Sequence, residues 1–163
     1  MKLASYKNGQ RDGELMIVSR DLATAYSAAG IADTMQQALD NWQHLAPQLE
    51  QRYVQLNQGE LEASAFDESR CCSPLPRAYQ WADGSAYVNH VELVRRARDA
   101  EMPESFWTDP LMYQGGSDDF IGPRDDIILP SDEWGIDFEG EVAVITDDVP
   151  MHCSLQQAAE RIR

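Results

Sequence analysis

Apolar and polar positions alternate at the start of the chain. Residues 2–7 are predicted as a strand, Asn8-Gly9 and Asp12-Gly13 mark a turn region, and residues 14–19 (ELMIVS) form the return strand of a hairpin. The period then lengthens. Thr34 and Gln37 have capping-box spacing and open a helix whose Leu39, Trp42 and Leu45 share one face. Pro47 is expected to break or restart this helix, and Leu49, Tyr53 and Leu56 carry the pattern on to Gly59, a suitable C-terminal cap. Residues 60–76 have weak periodicity and are rich in serine and proline, so they read as a connection with a boundary near Pro76.

Beyond that boundary, Val88, Val91 and Val94 recur at helical spacing ahead of Arg95, Arg96 and Arg98. Residues 102–130 hold Pro103, Pro110, Gly115-Gly116 and Gly122-Pro123 and are read as an extended loop, a length that is more often functional than incidental. Residues 136–145 (IDFEGEVAVI) are predicted as a buried strand. Ser154 and Gln157 then cap a last helix with Leu155, Ala158, Ala159 and Ile162 on one face. That half-built apolar face leads us to expect that the sequence is the N-terminal part of a longer protein. The pattern as a whole is α+β, with a small N-terminal α+β domain over residues 1–76 and a second domain over 77–163.

Composition narrows the function classes. A chain of 163 residues that is 43% hydrophobic and 25% charged is expected to bury a core. Its formal net charge of -15 disfavours a nucleic-acid partner, since no Lys/Arg-rich run offsets it. Three cysteines, with Cys71 and Cys72 adjacent, make neither a disulfide framework nor a Cys-x-x-Cys motif, which fits a reducing, cytoplasmic setting. The start lacks an apolar signal core, and no run of about 18 apolar residues occurs, so neither targeting nor a membrane span is expected.

Three constellations could carry chemistry. On a strand, Glu139 and Glu141 point to the same face, where a hard divalent cation would relieve their mutual repulsion. Read alone, such a pair also suits a solvated strand face. Asp83 and His90, seven residues apart, could combine a metal-binding or orienting carboxylate with a general base. In Tyr113-Gln-Gly-Gly-Ser117 the glycines would admit an anionic ligand and the phenol could donate a hydrogen bond, although a flexible turn accounts for the same residues. The Lys-Ser/Thr of a phosphate loop is missing. His44, His152 and Cys153 receive no role.

Asp83, His90, Tyr113 and then Asp137-Phe-Glu-Gly-Glu141 stand in one order along the chain. This ordered set resembles the fumarylacetoacetate hydrolase family, and the likeness runs over the whole chain. The resemblance implies a second domain that opens a mixed β-roll. It implies Asp83, Glu139 and Glu141 as three of four metal carboxylates, binding Mg²⁺ or Ca²⁺, with Mn²⁺ a third option. It implies His90 as general base and Tyr113 as a residue of the substrate loop. Ser85 stands where the hydrolases carry a second substrate-contacting tyrosine, which makes Ser85 a substrate-site position of different chemistry. By the same resemblance the partner is a small oxo-acid, the reaction is hydrolysis of a C–C bond in a β-diketo acid, and the assembly is a homodimer. The remaining metal Asp and an active-site Lys would lie beyond Arg163. Isomerases, decarboxylases and hydratases of the family share the metal strand, and a non-catalytic acidic module or inactive fragment is the rival from another class.

Overall fold

Leu15 and Ile17 project to one face of a strand and Met16 and Val18 to the other, and all four are buried. A strand with core on both sides belongs in the interior of a sheet. The computed structural model, which describes residues 1–85, 87–117, 119–136 and 138–163, places it there. Strand β1 (Lys2–Tyr6) pairs antiparallel with β2 (Glu14–Val18) in a register running from Lys2 opposite Val18 to Tyr6 opposite Glu14. Two further strands extend the sheet, β3 (Thr24–Ser27) against β2 and the short β4 (Ser64–Ala65) against β3. The predicted hairpin is present; the last two strands are too short to show an alternating pattern.

One face of this sheet is covered by α1 (Met35–Asp40) and α2 (Trp42–Asn57), whose Met35, Ala38, Leu49, Tyr53 and Leu56 join Leu15 and Ile17 in one apolar cluster. Thr34 caps α1 by accepting from the Gln37 amide at 3.1 Å. The break foreseen at Pro47 occurs instead at Asn41, and Pro47 lies inside α2. Asn41 leaves helical geometry with φ -124° and donates from its side chain to the Gln37 carbonyl at 3.2 Å, so it ends one helix and starts the next. Pro47 sits in the second turn of α2, where it removes one hydrogen bond that the buried face outweighs.

On the other face Tyr6, Met16, Val18, Ala25 and Cys71 form a second cluster. The buried Tyr6 stacks on Phe66, lies under the Arg70 guanidinium at 4.6 Å, and its hydroxyl accepts from the Asp67 amide at 2.8 Å. Residues 121–125 fasten to the same side. Arg124 donates twice to one carboxylate oxygen of Glu68, at 3.1 and 2.7 Å, and Asp125 pairs with Lys7 while accepting from the Gly122 amide at 2.8 Å. Those two hydrogen bonds hold the Asp125 carboxyl below the usual carboxylate range.

Gly13 completes the β1–β2 turn with φ +66°, and a Cβ there would stand 2.6 Å from the Tyr6 carbonyl oxygen. Gly13→Ala is therefore expected to cost roughly 1–3 kcal/mol, read as a lower urea midpoint at unchanged slope. An unchanged midpoint would show that the turn relaxes freely.

The residues fall into two units, Met1–Pro76 with Ile121–Arg163, and Arg77–Phe120. In the second, β5 (Ala82–Ser85) pairs antiparallel with β6 (Leu111–Gln114), and α3 (Val88–Ala97) follows β5 with Val91 buried. The helix matches its prediction. The 102–130 stretch, read as loop, contains β6 and a 3₁₀ turn at Glu104–Trp107.

The predicted buried strand at 136–145 is not formed among its described residues. Residues 138–145 have no strand geometry, and Phe138 and Val142 are 94% and 96% exposed. A strand needs a ladder partner for its amides and carbonyls, and among the described residues no strand pairs with this segment, although at its end the Ile145 carbonyl accepts from the Arg163 amide at 2.9 Å. Just beyond it, Thr146 bridges Ile162, and Asp147 pairs with Arg161 and Arg163. The last helix is shorter than predicted, α4 (Leu155–Ala159), but carries the complete Ser154–Gln157 capping box.

Candidate active site

The unit 77–120 holds four of the predicted site residues, Asp83, Ser85, His90 and Tyr113. In the β5–β6 ribbon Asp83 lies directly opposite Tyr113, and Ser85 opposite Leu111. Directly opposed residues and those two apart on one strand share a face, so Asp83, Ser85 and Tyr113 project to the same side of the ribbon. Asp83 and Ser85 are half-buried, whereas Tyr113 is 62% exposed. On the opposite face Gly84 meets the Met112 sulfur, with only 3.3 Å for an added Cβ.

His90 occupies the first turn of α3, two residues beyond the helix start at Val88, and is exposed. Val91 next to it is buried, which anchors the turn that carries the imidazole. Arg96 pairs with Glu92 at 2.9 Å and Arg95 donates to the Glu101 carbonyl, so two of the three arginines following His90 are engaged within this unit.

Glu139 and Glu141 lie in the other unit and are exposed, in the segment that lacks strand geometry. Asp137, the first residue of their motif, lies outside the described residues. Among the described residues no three His, Cys, Asp or Glu side chains stand together as a metal cage. The donor chemistry nevertheless fits a hard cation, since Asp83, Glu139 and Glu141 offer carboxylate oxygens and no soft ligand.

Burial pushes the Cys71 thiol above its usual range, and Cys72 is raised by the same cause. Neither is placed to act as a thiolate nucleophile near neutrality.

One residue that the sequence pattern did not single out stands on the same face of the ribbon. Trp81 precedes β5 by one position, and its indole meets the Tyr113 ring edge to face, with centroids 5.6 Å apart at 82°. The alternation Trp81-x-Asp83-x-Ser85 was the available signal, but three positions are too few to distinguish a strand from a turn.

Family models match nearly the whole chain. Residues 1–77 match the fumarylacetoacetase N-terminal domain 2, and residues 80–163 match the fumarylacetoacetate (FAA) hydrolase C-terminal region. The chain belongs to the fumarylacetoacetate hydrolase family. Comparison with curated proteins gives no match. The fumarylacetoacetate hydrolase family consists mostly of enzymes, typically dependent on divalent metals, and a small oxo-acid is the substrate class that membership suggests. The α+β architecture with small antiparallel sheets agrees with that assignment. Among the described residues no helix is long and apolar enough to cross a membrane.

Proposed function

We propose that the protein is a divalent-metal-dependent hydrolase that cleaves a C–C bond in a small β-diketo acid of the acylpyruvate or fumarylacetoacetate type. The observation that carries this reading is the β5–β6 ribbon, which sets Asp83 across from Tyr113 within the region matching the family's hydrolase model. Asp83, Glu139 and Glu141 would hold the cation, Mg²⁺ or Ca²⁺ by the preference of oxygen donors. When bound, the cation would polarise the substrate's oxo groups.

The remaining work falls to this chain's own residues. The His90 imidazole takes a proton from water, and the hydroxide so formed adds to the substrate carbonyl. The tetrahedral adduct collapses to the first carboxylic acid as the C–C bond breaks and its electron pair leaves on the enolate, whose carbon then receives the proton held by His90. Tyr113 donates a hydrogen bond from its phenol to the substrate, and Ser85, on the same face, offers a shorter hydroxyl where a bulkier acyl group could fit.

The test is a panel of acetylpyruvate, fumarylpyruvate and fumarylacetoacetate, followed by loss of enol absorbance with Mg²⁺, with Ca²⁺, with Mn²⁺ and with chelator. Cleavage of at least one substrate that stops on chelation is expected, with the two carboxylic acids identified as products. Absence of cleavage with every ion would sink the proposal. Decarboxylation or isomerisation of the substrate in place of cleavage would also overturn it.

A further inference from the structure

The Trp81 indole is half-buried in the 77–120 unit and packs on two aromatic rings, edge to face on Tyr113 and tilted against Phe120 at 6.3 Å. The register of β5 and β6, continued by one residue, sets Trp81 across from Gly115. An added Cβ at Gly115 would fall inside the contact distance of two indole ring carbons and come 3.2 Å from the Tyr113 ring. Gly115 has no positive φ, so its lack of a side chain answers to this close approach and not to backbone conformation. An aromatic ring laid over a cross-strand glycine shields that backbone and pins the register. Here the pinned segment is the one that carries Tyr113, and the indole stands on the same face as Asp83 and Ser85.

We propose that Trp81 is a positioning residue whose indole, set over Gly115 and edge-on to Tyr113, holds the tyrosine ring and the following glycine backbone in the arrangement that receives the substrate. The inference deepens the hydrolase reading and rests on it for the role of Tyr113. Trp81 touches no reacting atom; it acts through the ring it orients. Its loss should therefore weaken substrate binding more than turnover.

The experiment uses acetylpyruvate with Mg²⁺ and the whole chain. Trp81→Ala is expected to raise KM about 10-fold while kcat stays within about 3-fold, and Trp81→Phe, which keeps a ring, should return KM to within about 3-fold of the parent. Gly115→Ala should raise KM similarly because the methyl displaces the indole. In the Trp81→Ala background the added methyl should cost less than about 2-fold more. An unchanged KM in Trp81→Ala, or multiplying effects in the double variant, would overturn the proposal.

A parent protein that cleaves no acylpyruvate sinks the hydrolase reading instead, and amide hydrogen exchange across residues 111–117 then decides the role of Trp81. Faster exchange in Trp81→Ala that Trp81→Phe restores supports the clamp; equal exchange in all three proteins overturns it.

Discussion

Glu141→Gln is expected to lower Mg²⁺-dependent cleavage of an acylpyruvate by roughly 10³-fold while leaving the thermal midpoint of the protein unchanged. The size follows from the role proposed for the residue. A bound cation contributes several kcal/mol of charge stabilisation in such chemistry, and each 1.4 kcal/mol or so is a factor of ten in rate. An amide keeps the shape and one oxygen donor of the carboxylate but removes its charge, and charge is what a hard cation selects. The unchanged midpoint follows from the structure, because Glu141 is exposed and lies in none of the strands formed among the described residues. Glu139→Gln should behave alike. Binding of Mn²⁺, followed by the enhanced relaxation of water protons, gives a readout separate from activity, and affinity should fall in both variants. Undiminished turnover with undiminished Mn²⁺ affinity would remove these two residues from the metal site.

How well the sequence could be read depended on how many periods each element offers. The β1–β2 hairpin has ten paired residues and a turn with two Gly signals, and it was predictable almost to the residue. Helix α3 was equally clear because Val88, Val91 and Val94 mark one face before a run of arginines. By contrast, β3, β5 and β6 span four residues each and β4 two, lengths over which alternation is indistinguishable from chance. Pro47 misled for another reason. Its effect depends on position within the helix, and the break was set by Asn41, whose amide side chain satisfies the carbonyl that the first helix leaves open.

The candidate site divides in the same way. Asp83 and Tyr113 were identified by residue type and order, but nothing in a linear pattern says that they face one another, since that pairing arises from a register across 30 positions. Trp81 escaped notice because its role exists only once Gly115 lies beneath it. The 136–145 segment shows the opposite failure. Its alternation of apolar Phe138, Val142 and Val144 with Glu139 and Glu141 is strong, yet alternation states only what a strand would do if paired. Pairing is a tertiary event, and among the described residues it is not met there.

Leu49→Ala is expected to destabilise the larger unit by about 2–5 kcal/mol, the range for a fully buried leucine truncated in a packed core. Leu49 is wholly buried, at 0% exposure, and lies on α2 among Ile17, Met35, Tyr53 and Leu56, where sheet and helices meet. Removing its isobutyl group from this cluster takes away buried apolar contact and leaves a void that the surrounding core refills only in part. Val54 provides the control. It sits on the same helix at 45% exposure, and Val54→Ala should change stability by no more than about 0.5 kcal/mol. Helix propensity cannot produce the contrast, since alanine is the best helix former and would favour both variants. Urea unfolding monitored by far-ultraviolet circular dichroism, together with hydrogen exchange of the β2 and α2 amides, reads the difference directly. Equal losses in the two variants would mean that α2 does not dock on the sheet through Leu49, and the division of this unit into a helix-covered face and a Tyr6 face would have to be redrawn.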